Sequence, residues 1–105
     1  MNSIKMTVPV TVKAKLTEKL RARLVDEAVK VAEQMELELK QINIDMQREL
    51  ENNPQHEEQI RRFFSGEMAP RQGRLDEAHR RKETFEKLAL GAEIVQGSTE
   101  RQVEL

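Results

Sequence analysis

From Thr17 to Asn53 the chain reads TEKLRARLVDEAVKVAEQMELELKQINIDMQRELENN, and this stretch decides the fold. Apolar residues recur at Leu20, Leu24, Ala28, Val31, Met35, Leu39, Ile42, Met46 and Leu50, at spacings of 4, 4, 3, 4, 4, 3, 4 and 4. That rhythm lays one apolar stripe along a single α-helix. Its mean step of about 3.75 residues lies nearer an 11-residue repeat than a heptad, so a pair built on it should run nearly straight or slightly right-handed. Thr17 offers an N-cap oxygen, and the charge of Glu18 suits the positive end of the helix dipole. The helix is expected to span roughly 55 Å at about 1.5 Å per residue. Val31 and Ile42 are assigned to the buried seam and Glu33 and Lys40 to solvent, with Val25, Val29 and Ile44 partly outside.

On the C-terminal side, Asn52-Asn53-Pro54 reads as a stop and a start together. Asn tolerates a C′ position, Asn53 can serve as an N-cap, and Pro54 suits the first helical position. A second stripe follows at Ile60, Phe64, Met68, Arg71, Leu75, Ala78, Lys82, Phe85 and Ala89, widened by Phe63 and Leu88 and interrupted by Arg71 and Lys82. An interior Pro costs about 3 kcal/mol in a helix. Gly66, Pro70 and Gly73 therefore predict a kink or a short break between residues 66 and 73. Helix resumes from Arg74 to Leu90 and ends at Gly91, a natural C′ residue.

On the N-terminal side every even position from Ile4 to Leu16 is apolar, the period of a strand with one apolar face. Pro9, lacking an N–H, marks an edge or a bulge there. The last stretch, 91–105, holds Ile94, Val95, a Gly97-Ser98 bend and then Val103 and Leu105, which predicts a strand or hairpin. The expected architecture is one mainly α domain: a strand over 1–16, helices over 17–53 and 54–90, and a β segment over 91–105. The helices form a long antiparallel two-helix coiled-coil hairpin, and the N- and C-terminal strands pair antiparallel at its base. Segment charges agree, with +3 over 1–16 facing −2 over 91–105.

Composition narrows the functions. The chain has 105 residues, 37% of them hydrophobic and 35% charged, with three Phe and neither Trp nor Tyr, so its core must be thin. A net charge of −1 provides no global field for nucleic acid or anionic membrane. Cysteine is absent, which removes disulfides, thiolate metal sites and a cysteine nucleophile and suits a reducing cytoplasm. No apolar run at the N-terminus is long enough for a signal-peptide core or a membrane span.

Few residues carry chemistry. Asp76, His79 and Glu83 share a helix face and could offer a metal three ligands, yet such groups more often form solvated ion pairs, and Arg80 and Lys87 compete for Glu83. His56, beside Glu57 and Glu58, is expected to be exposed. Arg61, Arg62, Arg80, Arg81 and Lys82 are the candidate RNA contacts, but consecutive helical positions diverge by about 100°, so each cluster wraps its helix. The four glycines form no phosphate loop, and Ser3, Ser65 and Ser98 sit in no nucleophile motif. No catalytic residue, metal site or cofactor is assigned. The methionines at 35, 46 and 68 read as core filler.

The order alternating strand, long helix, Asn/Pro turn, long helix and then Leu90-Gly91-Ala92-Glu93-Ile94, with Arg101 to Leu105 ("RQVEL") behind it, resembles the YlqD family of small bacterial proteins. The resemblance covers nearly all of the chain and implies the fold rather than an activity. Two departures stand beside it. Pro70 and Gly73 fall where the family would keep helix, and the family's strand-forming sequence continues past the position of Leu105, so the chain is expected to be truncated there.

The leading expectation is a non-enzymatic coiled-coil interaction or scaffold protein with a protein partner still to be identified. The alternative is a ribosome- or RNA-associated factor, which the resemblance implies because the family's genes keep company with translation genes. The chain is also expected to form a dimer or higher even homo-oligomer through Met6, Val8, Val10 and Val12, because a strand with one apolar face and a short, Gly-broken partner leaves an edge to fill.

Overall fold

The computed structural model describes the backbone of residues 5–104 and the side chains of residues 13–95. Strand β1 (Lys5–Lys15) leads into helix α1 (Glu18–Asn52), a short 3-10 turn (Pro54–His56), helix α2 (Glu57–Lys87) and strand β2 (Glu93–Glu104). The chain falls into two compact units, one of residues 1–20 with 88–105 and the other of residues 21–87.

In the first unit β1 and β2 form a two-stranded antiparallel sheet from Lys5↔Glu104 to Lys15↔Glu93. The expected bend at Gly97-Ser98 is absent, because β2 runs through both residues. One extra residue, Gln96, is absorbed as a bulge between Val12↔Gly97 and Lys13↔Val95. That bulge brings Val103 opposite Met6, where an unbroken register would have placed Gln102. β2 is thus a full partner for β1 rather than a short broken one. At the inner end of the sheet the amide of Leu16 donates to the Ala92 carbonyl (2.8 Å), and the Gly91 amide donates to the Leu16 carbonyl (2.7 Å). Leu16 is the most deeply buried side chain described. Gly91 makes the turn with φ +88°, a conformation that costs an L side chain roughly 1 kcal/mol or more.

In the second unit α1 and α2 are the two arms of a helical hairpin. The Leu20 amide donates to Thr17 Oγ1 at 3.0 Å, the N-cap expected from the sequence. At the other end Asn53 stays on the extended side (φ −136°), and its side chain makes no capping bond to the next turn. Its Nδ2 donates back to Glu49 instead (3.3 Å), and Pro54 opens the 3-10 turn that leads into α2. The helices meet along a thin seam whose buried side chains are Ala28, Ala32, Met35, Met46 and Ala78. Val31 is not among them. It is 45% exposed and Ala32 is buried in its place; on an ideal helix the two lie about 50° to either side of the Ala28–Met35 line, so the facing helix decides between them. Lys82 and Ala89, also placed on the stripe, are exposed, and Phe63 stands 63% exposed with its ring edge-on to Phe64.

No break occurs between Gly66 and Gly73, since α2 is helical throughout Glu57–Lys87 with Pro70 inside it. Proline denies the Gly66 carbonyl its usual donor four residues on. Next in the chain, Arg71 donates from Nη1 to the Glu67 carbonyl (2.7 Å) and from Nε to Glu38 Oε1 of α1 (3.2 Å). The residue read as interrupting the stripe therefore ties the proline turn to the neighbouring helix.

Candidate functional site

The charged residues singled out from sequence are mostly committed to neighbours on their own helix. Arg61 pairs with Glu57 at 3.0 Å, Arg62 with Glu58 at 3.1 Å, Arg80 with Glu77 at 2.8 Å and Lys82 with Glu86 at 3.7 Å. Arg81 packs its guanidinium over the Phe85 ring, 5.9 Å from the centroid. Each of the five thus has a neighbour on its own helix. Glu77 beside Arg80 raises the guanidinium's proton affinity further, chiefly through the hydrogen bond.

Of the trio Asp76, His79 and Glu83, the two acids are engaged on their own helix. Asp76 accepts from Gln72 Nε2 at 3.1 Å, and Glu83 accepts from Lys87 Nζ. That hydrogen bond, with the Lys87 charge behind it, holds the Glu83 carboxyl below its ordinary pKa and Lys87 above its own. Among the described residues no group of three or more His, Asp or Glu is arranged to hold a metal ion. His56 is exposed, with its ring Nδ1 3.1 Å from Gln59 Oε1. The side chains of Met6, Val8, Val10 and Val12 lie outside the described residues.

What sequence reasoning missed is a groove of about 450 Å³ along the hairpin. Leu24, Ala28 and Val31 form its α1 wall, and Pro70, Gly73 and Ala78 its α2 wall. It exists because neither Pro70 nor Gly73 sends a long side chain toward α1 and because Ala28 and Ala78, both buried, are small. A Cβ placed on Gly73 would meet nothing within 4 Å. The residues read as helix breakers are therefore the ones that leave the space. Four charged side chains rim it: Glu27, Arg74, Glu77 and Arg81. Both acids are neutralised, Glu27 by Arg23 (3.8 Å) and Glu77 by Arg80. Arg74 and Arg81 have no carboxylate partner among the described residues. The available sequence signal was the small residues Ala28, Gly73 and Ala78 at seam positions, with Arg74 and Arg81 seven apart.

A thin-seamed helical hairpin joined in sequence to a two-stranded antiparallel sheet defines the class of protein. The sequence matches the family described as YlqD protein over residues 4–105, and the chain belongs to that family. No curated protein matches it. A crystal structure of a protein of unknown function from Synechococcus sp. WH 8102 has the same fold, with a TM-score of 0.86 at 14% identity, the match covering 99% of this chain and 78% of that one. No helix among the described residues is long and apolar enough to cross a membrane.

Proposed function

We propose that this chain is a non-enzymatic interaction protein whose helical hairpin acts as a coiled-coil scaffold. One observation carries the reading: thirty-five residues of α1 and thirty-one of α2 enclose only five buried side chains, while large apolar groups stand outside. Leu37 (64% exposed) and Ile44 (43%) are seven residues apart on α1. Seven residues turn an ideal helix through close to two full turns, so the two share a stripe, and Leu37 lies about 200° round from the buried Met35. A helix with one apolar edge on its mate and a second facing outward is suited to hold another protein. A photo-crosslinker at Leu37 should capture a discrete protein in the source cell, and the capture should vanish in Ile44→Gln with helicity unchanged. Capture that persists in that variant would overturn the reading.

The alternative is an RNA-associated factor. The intrahelical pairing of Arg61, Arg62, Arg80 and Lys82 weighs against it, because each carboxylate must be displaced before a phosphate can take its place. The expected result is no submicromolar, salt-sensitive shift with structured RNA at physiological salt; observing one would favour the alternative. Self-association through the sheet remains part of the proposal, since a two-stranded sheet is marginal alone and each strand keeps one edge for another chain.

A further inference from the structure

We propose that the groove between α1 and α2 is a docking site for an acidic amphipathic helix of a partner protein, which seats apolar side chains over Gly73 and Ala78 and carboxylates on Arg74 and Arg81. The inference rests on the interaction-protein reading above and names the surface and the chemistry it takes. Three features select this occupant.

The first is charge. The rim carries four ionic groups, but Glu27 and Glu77 are matched by Arg23 and Arg80, so the charge without a carboxylate among the described residues is the pair of guanidiniums at Arg74 and Arg81. Arg81 rests on the Phe85 ring with its N–H edges still able to donate. A guanidinium presents a planar fork that suits a carboxylate two bonds at a time. The second is spacing. Arg74 and Arg81 are seven residues apart on one continuous helix, hence on nearly the same face and about 10.5 Å apart along the axis. Carboxylates at i and i+7 of an incoming helix repeat that interval. The third is form. The α2 wall runs from Pro70 to Arg81, about 16 Å or three helical turns, and its apolar lining is open along its length rather than closed into a cavity. A helix laid in a groove uses such a surface by inserting side chains at i, i+3 or i+4, and i+7.

The test uses the full chain and a stapled helical peptide bearing a Leu stripe with two Glu seven residues apart, alongside a twin with Gln at both positions. Fluorescence anisotropy should show the Glu peptide binding about tenfold or more tightly than the Gln twin, with the difference shrinking in salt. Arg74→Gln with Arg81→Gln should erase that difference, and Gly73→Met, which fills the groove, should abolish binding of both peptides. All three positions are exposed, so melting curves of the variants should match the parent within a few degrees and keep the comparison interpretable. Equal binding of the two peptides, or binding indifferent to these substitutions, would overturn the proposal. So would a drop in the protein's own solution mass in Gly73→Met, which would make the occupant a second copy, or an RNA oligonucleotide that binds through Arg74 and Arg81 where neither peptide does. If no peptide binds while Leu37 still captures a partner, the groove assignment alone is wrong; if both fail, the interaction reading falls with it.

Discussion

At the scale of single residues, Arg71 ties the turn beside Pro70 to the neighbouring helix. Pro70 removes one helical hydrogen bond, and Arg71 reaches both the Glu67 carbonyl and Glu38 across the seam. Both partners of that ion pair are largely covered, so it is screened less than the pairs on the outer faces. Arg71→Met should cost about 1 to 2 kcal/mol in a urea melt, and Arg71→Lys should recover only part of this because one ammonium cannot span the two acceptors as a guanidinium does. Full recovery by lysine would mean that charge alone matters. The seam makes its own prediction. Ala32→Asp should cost several kcal/mol, since it places a carboxylate at a buried position, whereas Val31→Asp should change stability by less than about 1 kcal/mol. The apolar stripe in the sequence places Val31 on the seam, and only the burial of Ala32 shows where the charge is costly.

At the scale of elements, α2 carries more helix-weakening residues than a stable helix needs. Gly66 and Gly73 are helical, exposed and open to a Cβ, so each Gly→Ala change should stabilise by about 0.5 to 1 kcal/mol. Pro70→Ala should add about 1 to 3 kcal/mol by restoring a donor to the Gly66 carbonyl. Thermal melts check all three, and a loss on Gly73→Ala would show that its backbone is strained. The outer faces of both helices are held by pairs one turn apart, mostly with the acid on the N-terminal side, the favourable order along the dipole. Glu83 and Lys87 give this a pH signature. Because the folded carboxyl of Glu83 is held below its ordinary value, its stabilising contribution is present above the unfolded pKa and is lost as pH falls through the lower folded one. An NMR titration should find Glu83 titrating below the ordinary carboxylate range and returning to it in Lys87→Gln.

At the scale of the whole molecule, the expectation concerns association. The mass in solution at about 50 µM should exceed the 12.2 kDa of one chain, because among the described residues the two-stranded sheet has no third strand on either outer edge. Light scattering after gel filtration measures this, and a monomer there would remove the oligomer from the proposed function. Loss of assembly in Val10→Lys with helicity retained would place the contact at the strands.

The sequence by itself determined the element order, the pairing of the terminal strands, the Thr17 cap, the turn at Pro54 and the exit at Gly91. These follow from local chemistry: the apolar period, the cap oxygen, the fixed φ of proline and the tolerance of glycine for positive φ act within a few residues. Only the tertiary structure decided which of Val31 and Ala32 enters the seam, how Gln96 sets the register between the strands, and that Arg71 bridges to Glu38. It also decided that α2 passes unbroken through Pro70 and leaves a groove beside Gly73. Each of these depends on residues thirty or more positions apart in the chain, whose distances no local pattern encodes. A helical period fixes a face to within a residue or so, and the facing helix then selects the side chain that fits.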